Sequence, residues 1–289
     1  MRHDSQTNSP NIWMDSVPEH IVRSFHDCQA WQSERTEVLG GNTLATVLTD
    51  EFCEYTFIQN THVDAETDTI YYQCYEKTAR DLEKMGVSFD HVVRTWIYLD
   101  DIDTTYTDFN RQRDQFYREQ GVFDRLVPAS TAIGISAQNE PKMISHVLAL
   151  KKRSDQVVVR AVESPLQCSA MDYQVSFSRA LEIQTPDYRR LLISGTASIN
   201  AEGQTVYIDS IEKQTEQTAK VIDALLASNQ MELRHITRLL SYTKIAEDCE
   251  FTSQFIEKWL PANDGVMNVH ADVCRDNLLV EFEAEVVIF

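Results

Sequence analysis

No stretch of the 289-residue chain approaches the roughly 20 consecutive apolar residues that a membrane-crossing helix requires. The N-terminal MRHDSQTNSPNIW has no hydrophobic segment leading to a small-residue cleavage site, so no secretory signal is expected. A basic block is also missing. The chain carries 26 Lys+Arg against 45 Asp+Glu, a formal net charge of -19. Nucleic-acid binding depends on cations set against phosphates, so this balance argues against a nucleic-acid partner. The six cysteines are scattered, with no CxxC pair, which suggests reduced thiols, a cytoplasmic setting and no structural zinc. Nowhere does the chain contain GxxxxGK followed by Ser or Thr, GxGxxG, HExxH or GxSxG. The expected site is therefore free of metal and of cofactor, and built from arginines, tyrosines, Ser/Thr and backbone donors, and carboxylates. A small anionic metabolite would need a local cluster of arginine or lysine.

What is present is an ordinary globular balance, 43% hydrophobic and 25% charged, in a chain long enough for two domains or one large one. Residues 1–35 are polar and mixed, and the first ten read as disordered. Short strands are expected over residues 36–39, 44–48 and 53–58, then a helix over 68–85 capped by Thr67 or Asp68 and closed by Gly86. A β-prone run over 91–99 follows. The helix over 100–120 has Ile102, Tyr106, Phe109, Phe116 and Tyr117 as its core stripe, and two strands lie over 126–135 and 143–150. After a charged, proline-broken connector the order starts again, with strands over 176–183 and 190–199, a helix over 210–229, a strand over 235–245, a helix over 248–260 stopped by Pro261, and terminal strands.

The second half repeats the first. His91-Val92-Val93-Arg94 and Tyr98 align with His235-Ile236-Thr237-Arg238 and Tyr242 at a constant offset, 235−91=144. The expected fold is α+β, with two tandem units that each place two helices on one face of a mixed sheet. The implied division is a polar segment over 1–35, a degenerate unit over 36–152, a connector over 153–175 and a second unit over 176–289.

The last strand has an unusual pattern. From Val280 to Val286 apolar residues alternate with Glu281, Glu283 and Glu285, which puts three carboxylates on one face. Acidic residues are poor strand formers and repel one another there. Either that face is wet, or at least one carboxylate has a task.

Both halves resemble the YjgF/RidA unit. In the second half the resemblance rests on Leu192-Ile193-Ser194-Gly195, the two strand–helix pairs that follow, and the Val280-Glu281-Phe282-Glu283-Ala284 ending. It implies active sites in clefts between units and, in the RidA deaminases, a terminal-strand Glu with an Arg for the substrate carboxylate. Glu281 stands at that Glu's place. Counting along the strands puts Asn268 where the Arg is expected, with Ser130 as its first-half counterpart and Ser145 as the counterpart of Glu281.

A narrower resemblance is to the chorismatases, which are tandem YjgF-like chains. It is carried by the run Arg94 to Ile102, Phe109-Asn110-Arg111, Pro128-Ala129-Ser130-Thr131, Phe177-Ser178-Arg179-Ala180, Ser194-Gly195-Thr196-Ala197-Ser198-Ile199, and Asp272-Val273-Cys274-Arg275 followed by Leu279-Val280-Glu281. In that family the catalytic Glu lies seven positions after an active-site Cys, and 281−274=7 here. Ala197 together with Cys274 is the combination that the resemblance associates with hydrolysis.

The resemblance thus implies a hydrolase that cleaves the enol ether of chorismate or a related anionic metabolite and releases pyruvate, with Glu281 as general acid. Cleavage needs a proton on the enol carbon and then water, and a buried carboxyl with a raised pKa can supply that proton. Substrate carboxylates need forked cations and hydroxyl donors, and Arg179, Arg238, Arg275, Tyr173 and Tyr242 are the candidates, with Cys274, Ala197 and Gly195 lining the pocket. Blander roles stay open. Arg94 and Arg238 suit a shared structural ion pair, Tyr98 and Tyr242 suit core positions, and His91 and His235 suit capping or the surface. A RidA-like enamine/imine deaminase and a non-catalytic metabolite binder are the alternative functions. The assembly is expected to be a monomer or a homotrimer.

Overall fold

The computed structural model describes residues 12–289 except 28, 30, 64–66, 136–140, 174 and 262, and does not extend to the side chains of 12–18, 27 and 173. The expectation of disorder over the first ten residues falls outside that range.

In chain order the first half runs α1 (Ile12–Asp27), β1 (Ser33–Gly40), β2 (Thr43–Thr49), β3 (Cys53–Thr61), α2 (Ile70–Lys84), β4 (Val92–Asp100), α3 (Ile102–Glu119), β5 (Ala129–Ile135) and β6 (Met143–Lys152). The second runs β7 (Val158–Val162), β8 (Ala180–Gln184), β9 (Arg189–Ala197), α4 (Ile211–Ser228), β10 (Ile236–Thr243), α5 (Cys249–Trp259), β11 (Val266–His270), β12 (Asp272–Val273) and β13 (Val280–Ile288). No helix among the described residues is long and apolar enough to cross a membrane.

The strands form a seven-stranded sheet, β1-β2-β3-β6-β4-β5-β12, and a six-stranded sheet, β11-β10-β13-β9-β8-β7. Among the described strands, only β4–β5 and β10–β11 pair in parallel. A parallel pair needs a crossover, and α3 and α5 provide it. α2 and α3 bury an aromatic stripe on one face of the first sheet, including Tyr75, Phe109, Phe116 and Tyr117. α4 and α5 cover the second sheet through Ile222, Leu225 and Ile256, which share a core with Phe282 of the sheet. The two uncovered faces pack on each other, with Trp96, Tyr98 and Leu148 from one half meeting Leu192, Leu240 and Tyr242 from the other. The fold is thus α+β, with two mixed sheets and α2, α3, α4 and α5 on their outer faces.

Local details follow the residues. His91 and His235 each accept a backbone hydrogen bond through Nδ1, from Ser88 and Glu232, and so close equivalent turns before β4 and β10. The cap of α2 differs from expectation: Thr69 holds the N-cap position with no side-chain capping bond, instead of Thr67 or Asp68. Helix α1 lies in the stretch read as a polar segment. Pro18 and the mixed polar residues hide it, yet Ile21 and Phe25 enter the core between the sheets. The stretch read as a connector contains β7, which pairs with β8 at the edge of the second sheet. Cys53, Cys74, Cys168, Cys249 and Cys274 are free thiols.

Strand pairing also corrects the repeat alignment. Tyr242 pairs with Glu281, whereas its equivalent Tyr98 pairs with Ile144. The first-half counterpart of Glu281 is therefore Ile144, not Ser145. A one-residue slip exchanges the faces of a strand, and Ser145 sits on the helix side. By the same reasoning Asn268, paired with Ser241, corresponds to Ala132, paired with Ile97, and not to Ser130.

Candidate active site

The three glutamates of β13 face the interior between the sheets, and none of them lies on a wet surface. They have different fates. Glu283 receives Arg94 Nη2 at 2.6 Å, Arg238 Nη1 at 2.7 Å and Trp96 Nε1 at 2.8 Å. Burial opposes its ionisation, but the two arginines outweigh burial and hold the carboxyl below its usual range. Arg94 and Arg238, equivalent in the repeat, thus converge on a single carboxylate. Glu285 pairs with Arg190, whose guanidinium stacks 3.7 Å from the Phe25 ring centroid.

Glu281 instead faces a small cavity between the halves. The cavity exists because the second unit reaches into the first sheet. After β11 the chain leaves its own sheet, and β12 pairs with the free edge of β5, Val273 with Ile133 and Asp272 with Gly134. Gly134 is required there, since a Cβ would lie 2.6 Å from Ile102 Cγ2 and 2.7 Å from Asp272 Cβ. This excursion carries Cys274 and Arg275 into the cavity wall. The seam is fastened by Ser178 N to Pro128 O at 3.0 Å, Ser130 N to Ser194 Oγ at 2.9 Å and Gly195 N to Thr131 Oγ1 at 3.0 Å.

On β13, Glu281 lies between Ala197 of β9 and Tyr242 of β10. A Cβ on Gly195 would come within 1.9 Å of Glu281 Oε1, so only glycine leaves room for this carboxyl. Glu281 is 5% exposed. Burial, and then the charge of Glu283, push it up to about 8, against the opposing pull of Arg94, Arg179 and Arg275. It is therefore largely protonated at neutral pH. Burial and then Glu281 push the Cys274 thiol up to about 12, so it stands in the wall as a thiol and not as a thiolate nucleophile.

Three arginines line the same cavity. Arg179 donates from Nε to Cys168 O at 3.0 Å and lies over Phe177 at 5.4 Å. Arg275 donates from Nη1 to Gly203 O at 2.9 Å. Arg113 comes from α3 of the other half, packed over Phe109 at 5.2 Å and Tyr117 at 5.9 Å. Its Nε and Nη2 are buried and meet no hydrogen-bond partner among the described residues. Tyr106, Ser130 and Ala132 of the first half and Phe177, Ile199 and Leu278 of the second complete the wall.

The structure thus brings Glu281, Cys274, Ala197, Gly195, Arg179 and Arg275 together around one cavity. It does not bring Arg238 and Tyr242 to it. Arg238 is spent on Glu283 and lies 3.6 Å from Glu285, and Tyr242 is buried in the core between the sheets. Both sit on the strand next to Glu281, where sequence alone does not separate a cavity neighbour from a core one. Tyr173 ends a short 3-10 turn, Ala170–Tyr173, and its side chain lies outside the described residues. Arg113 and Tyr106 were missed as site residues. The available signal was a cation two helical turns from Tyr106 and one turn from Phe109, on a stripe otherwise read as core. Asn268 is occupied elsewhere, donating from Nδ2 to Cys249 O at 3.0 Å and Ser253 Oγ at 2.9 Å, so no arginine-like role falls to it.

Comparison with known proteins places the chain. Residues 29–149 match the family model described as chorismatase FkbO/Hyg5-like, N-terminal. A chorismatase from Streptomyces hygroscopicus is 27% identical over a match covering 70% of this chain and 63% of its own length. One from Streptomyces rapamycinicus is 25% identical, covering 69% and 65%. The matches thus span a little under two thirds of these relatives. A chorismatase crystal structure superposes with a TM-score of 0.70 at 22% identity, over 89% of this chain and 80% of that one. The chain is thus similar to the chorismatases in both sequence and fold.

Proposed function

We propose that the chain is a chorismatase-like hydrolase that cleaves the enol-ether side chain of chorismate, or of a closely related anionic metabolite, and releases pyruvate. The observation that carries this reading is a single carboxyl, Glu281, held up to about 8 inside a cavity lined by Arg113, Arg179 and Arg275. A substrate with two carboxylates and an acid-labile vinyl ether needs such a combination: cations to hold the anion and a proton source at neutral pH. The similarity to the Streptomyces chorismatases supports the choice of substrate.

In the proposed reaction Glu281 gives its proton to the terminal methylene carbon, and the C=C electron pair forms the new C–H bond. The oxocarbenium ion so formed takes water at the ether carbon. The proton lost by that water returns to the Glu281 carboxylate. The hemiketal then collapses: its C–O bond to the ring breaks as the carbonyl forms, and its hydroxyl proton passes to the departing ring oxygen, leaving pyruvate and a dihydroxycyclohexadiene carboxylate. Cys274 and Ala197 shape the wall in which water reaches the cation, and the thiol takes no part as a nucleophile.

The test is incubation with chorismate, reading pyruvate and the diene acid. Wild type should form both, and Glu281→Gln should lose about 10²–10⁴-fold in kcat, the usual contribution of a positioned general acid. Absence of pyruvate, or turnover unchanged in E281Q, overturns the reading. Thermal stabilisation by a metabolite without turnover would then favour a non-catalytic binder.

A further inference from the structure

Behind Glu281 stands a buried cation that the proposed reaction leaves unused. Arg94 is 1% exposed. Its Nη2 donates to Glu283 and to Thr131 Oγ1. Its Nη1 is buried and meets no hydrogen-bond partner among the described residues. A buried donor left without an acceptor is costly, so its persistence calls for a reason. The contacts lead toward the acid. Thr131 Oγ1, which accepts from Arg94, also accepts from Gly195 N at 3.0 Å. The Cβ position of Gly195 lies 3.2 Å from Thr131 Cγ2 and 1.9 Å from Glu281 Oε1. Arg94, Thr131, Gly195 and the Glu281 carboxyl are thus consecutive neighbours.

We propose that Arg94 is a positioning residue for Glu281: its spare Nη1–H receives the Glu281 carboxylate once that acid has given up its proton, while Glu283 anchors the guanidinium. This deepens the enol-ether reading in calling Glu281 a proton donor and rests on it there, although the Arg94–Glu281 coupling does not need a substrate. Arg94 stays cationic throughout and gives up no proton. The proton goes to the substrate carbon and returns to Glu281 from the attacking water. A hydrogen bond between charged groups is short and strong where little solvent competes, so the conjugate base is stabilised in this buried wall.

Glu283 explains why the resting acid remains an acid. It lies two residues along the same strand face, takes one N–H of Arg94 and two further donors from Arg238 and Trp96, and keeps Arg94 from neutralising Glu281 outright. Without Glu283 the cation would belong to Glu281, and the acid would rest ionised. The other titratable or charged groups facing this pair are Arg179 and Arg275 with Cys274 across the cavity, Arg113 and Tyr106 from α3, and Tyr98 and Tyr242 behind. Among them and Arg94, Arg94 alone pairs an anchor on Glu283 with a buried N–H that meets no partner among the described residues.

The test needs no substrate. Infrared difference spectra across pH follow the C=O stretch of protonated Glu281, assigned by its absence in E281Q. Glu283→Gln should move the midpoint down, and Arg94→Gln should move it up, each by about tenfold in proton affinity. Loss of charge alone gives these directions, so the hydrogen bond is read from Arg94→Lys, which keeps the charge but lacks the spare N–H and should still move the midpoint up. Movement of both in the same direction, or of neither, overturns the proposal. Should a variant fail to fold, ¹⁵N NMR of the arginine side chains in wild type gives the same answer. The Arg94 Nη1 signal should shift as Glu281 titrates and stay fixed over that range in E281Q, and a signal indifferent to Glu281 refutes the coupling. Failure to hydrolyse chorismate with these shifts intact would remove the proposed reaction and leave the coupling standing.

Discussion

Strands β6 and β13 hold equivalent places in the two halves and present different chemistry to the space between the sheets. β13 brings Glu281, Glu283 and Glu285, and β6 brings Ile144, His146 and Leu148 at the matching positions. His146 accepts from Asn60 N at 2.9 Å, and burial lowers it to about 3, so it is neutral. The first half therefore adds no charge at this strand. It contributes cations instead, Arg94 to the Glu283 clamp and Arg113 to the cavity. The division separates support from chemistry. One copy of the strand can carry a costly row of carboxylates because both copies of the repeat supply arginines to it. A site confined to the second half would lack Arg94 at the Glu283 clamp and Arg113 in the cavity wall.

The contrast can be broken at Gly195, whose first-half equivalent is Asn60, held at a positive φ of 58°. Gly195→Ala forces a methyl group onto Glu281 Oε1, and a displaced acid should lose about 10²-fold in kcat/KM. Asn60→Ala strains only a backbone position and should lower Tm with kcat/KM retained. Equal losses of turnover in both would show that the asymmetry between halves does not carry function.

Arg113→Gln tests whether the first half reaches into the site. Steady-state kinetics with chorismate should show KM raised about 10- to 100-fold, the worth of a charged hydrogen bond, with kcat changed less. An unchanged KM would remove this half from substrate binding.

Stability against pH sharpens the distinction between Glu281 and the clamped Glu283. Glu281 titrates near 8 when folded and near 4.5 ordinarily, so the folded state retains a proton that the unfolded chain has lost. The stabilisation from this group is fully present below about 4.5 and is lost as pH rises through about 8. Comparing denaturant unfolding of wild type and E281Q at pH 4.5 and 8.5 should show wild type losing a few kcal/mol relative to the variant, on the order of 1.4 kcal/mol for each tenfold difference in proton affinity between the folded and unfolded chain. A constant difference would mean that Glu281 is ionised in the fold.

The smallest effect is expected at Cys274. Held as a thiol, it contributes shape alone, and Cys274→Ala should change kcat/KM by about tenfold at most, measured by pyruvate release. Complete loss of turnover would restore a chemical role to the sulfur.

Much of this was legible in the chain. The repeat shows itself through Arg94/Arg238 and Tyr98/Tyr242, and hydrophobic periodicity marks the strands and helices. Glu281, Cys274 and Ala197 were singled out by the resemblance to the chorismatases, in which the catalytic Glu lies seven positions after an active-site Cys. What sequence did not carry was the third dimension. Arg238 and Arg275 are both cations near the terminal strand, yet one is consumed by Glu283 while the other is carried to the cavity by the short β12 excursion. Arg113 is distant in sequence from every other charged wall residue and meets them only across the seam between halves. The one-residue error that paired Ser145 with Glu281 arose because strand register is set by cross-strand partners, which counting along the chain does not reveal.

The central claim is that Glu281 acts as a protonated acid in a cation-lined cavity. Pyruvate release from chorismate, measured as kcat/KM across pH 5 to 10, tests it most directly. The rate should hold on the acid side, fall about tenfold per pH unit above a pKa near 8, and drop to a pH-independent residue in E281Q. A wild-type profile flat through pH 8, or an E281Q enzyme as fast as wild type, would contradict it.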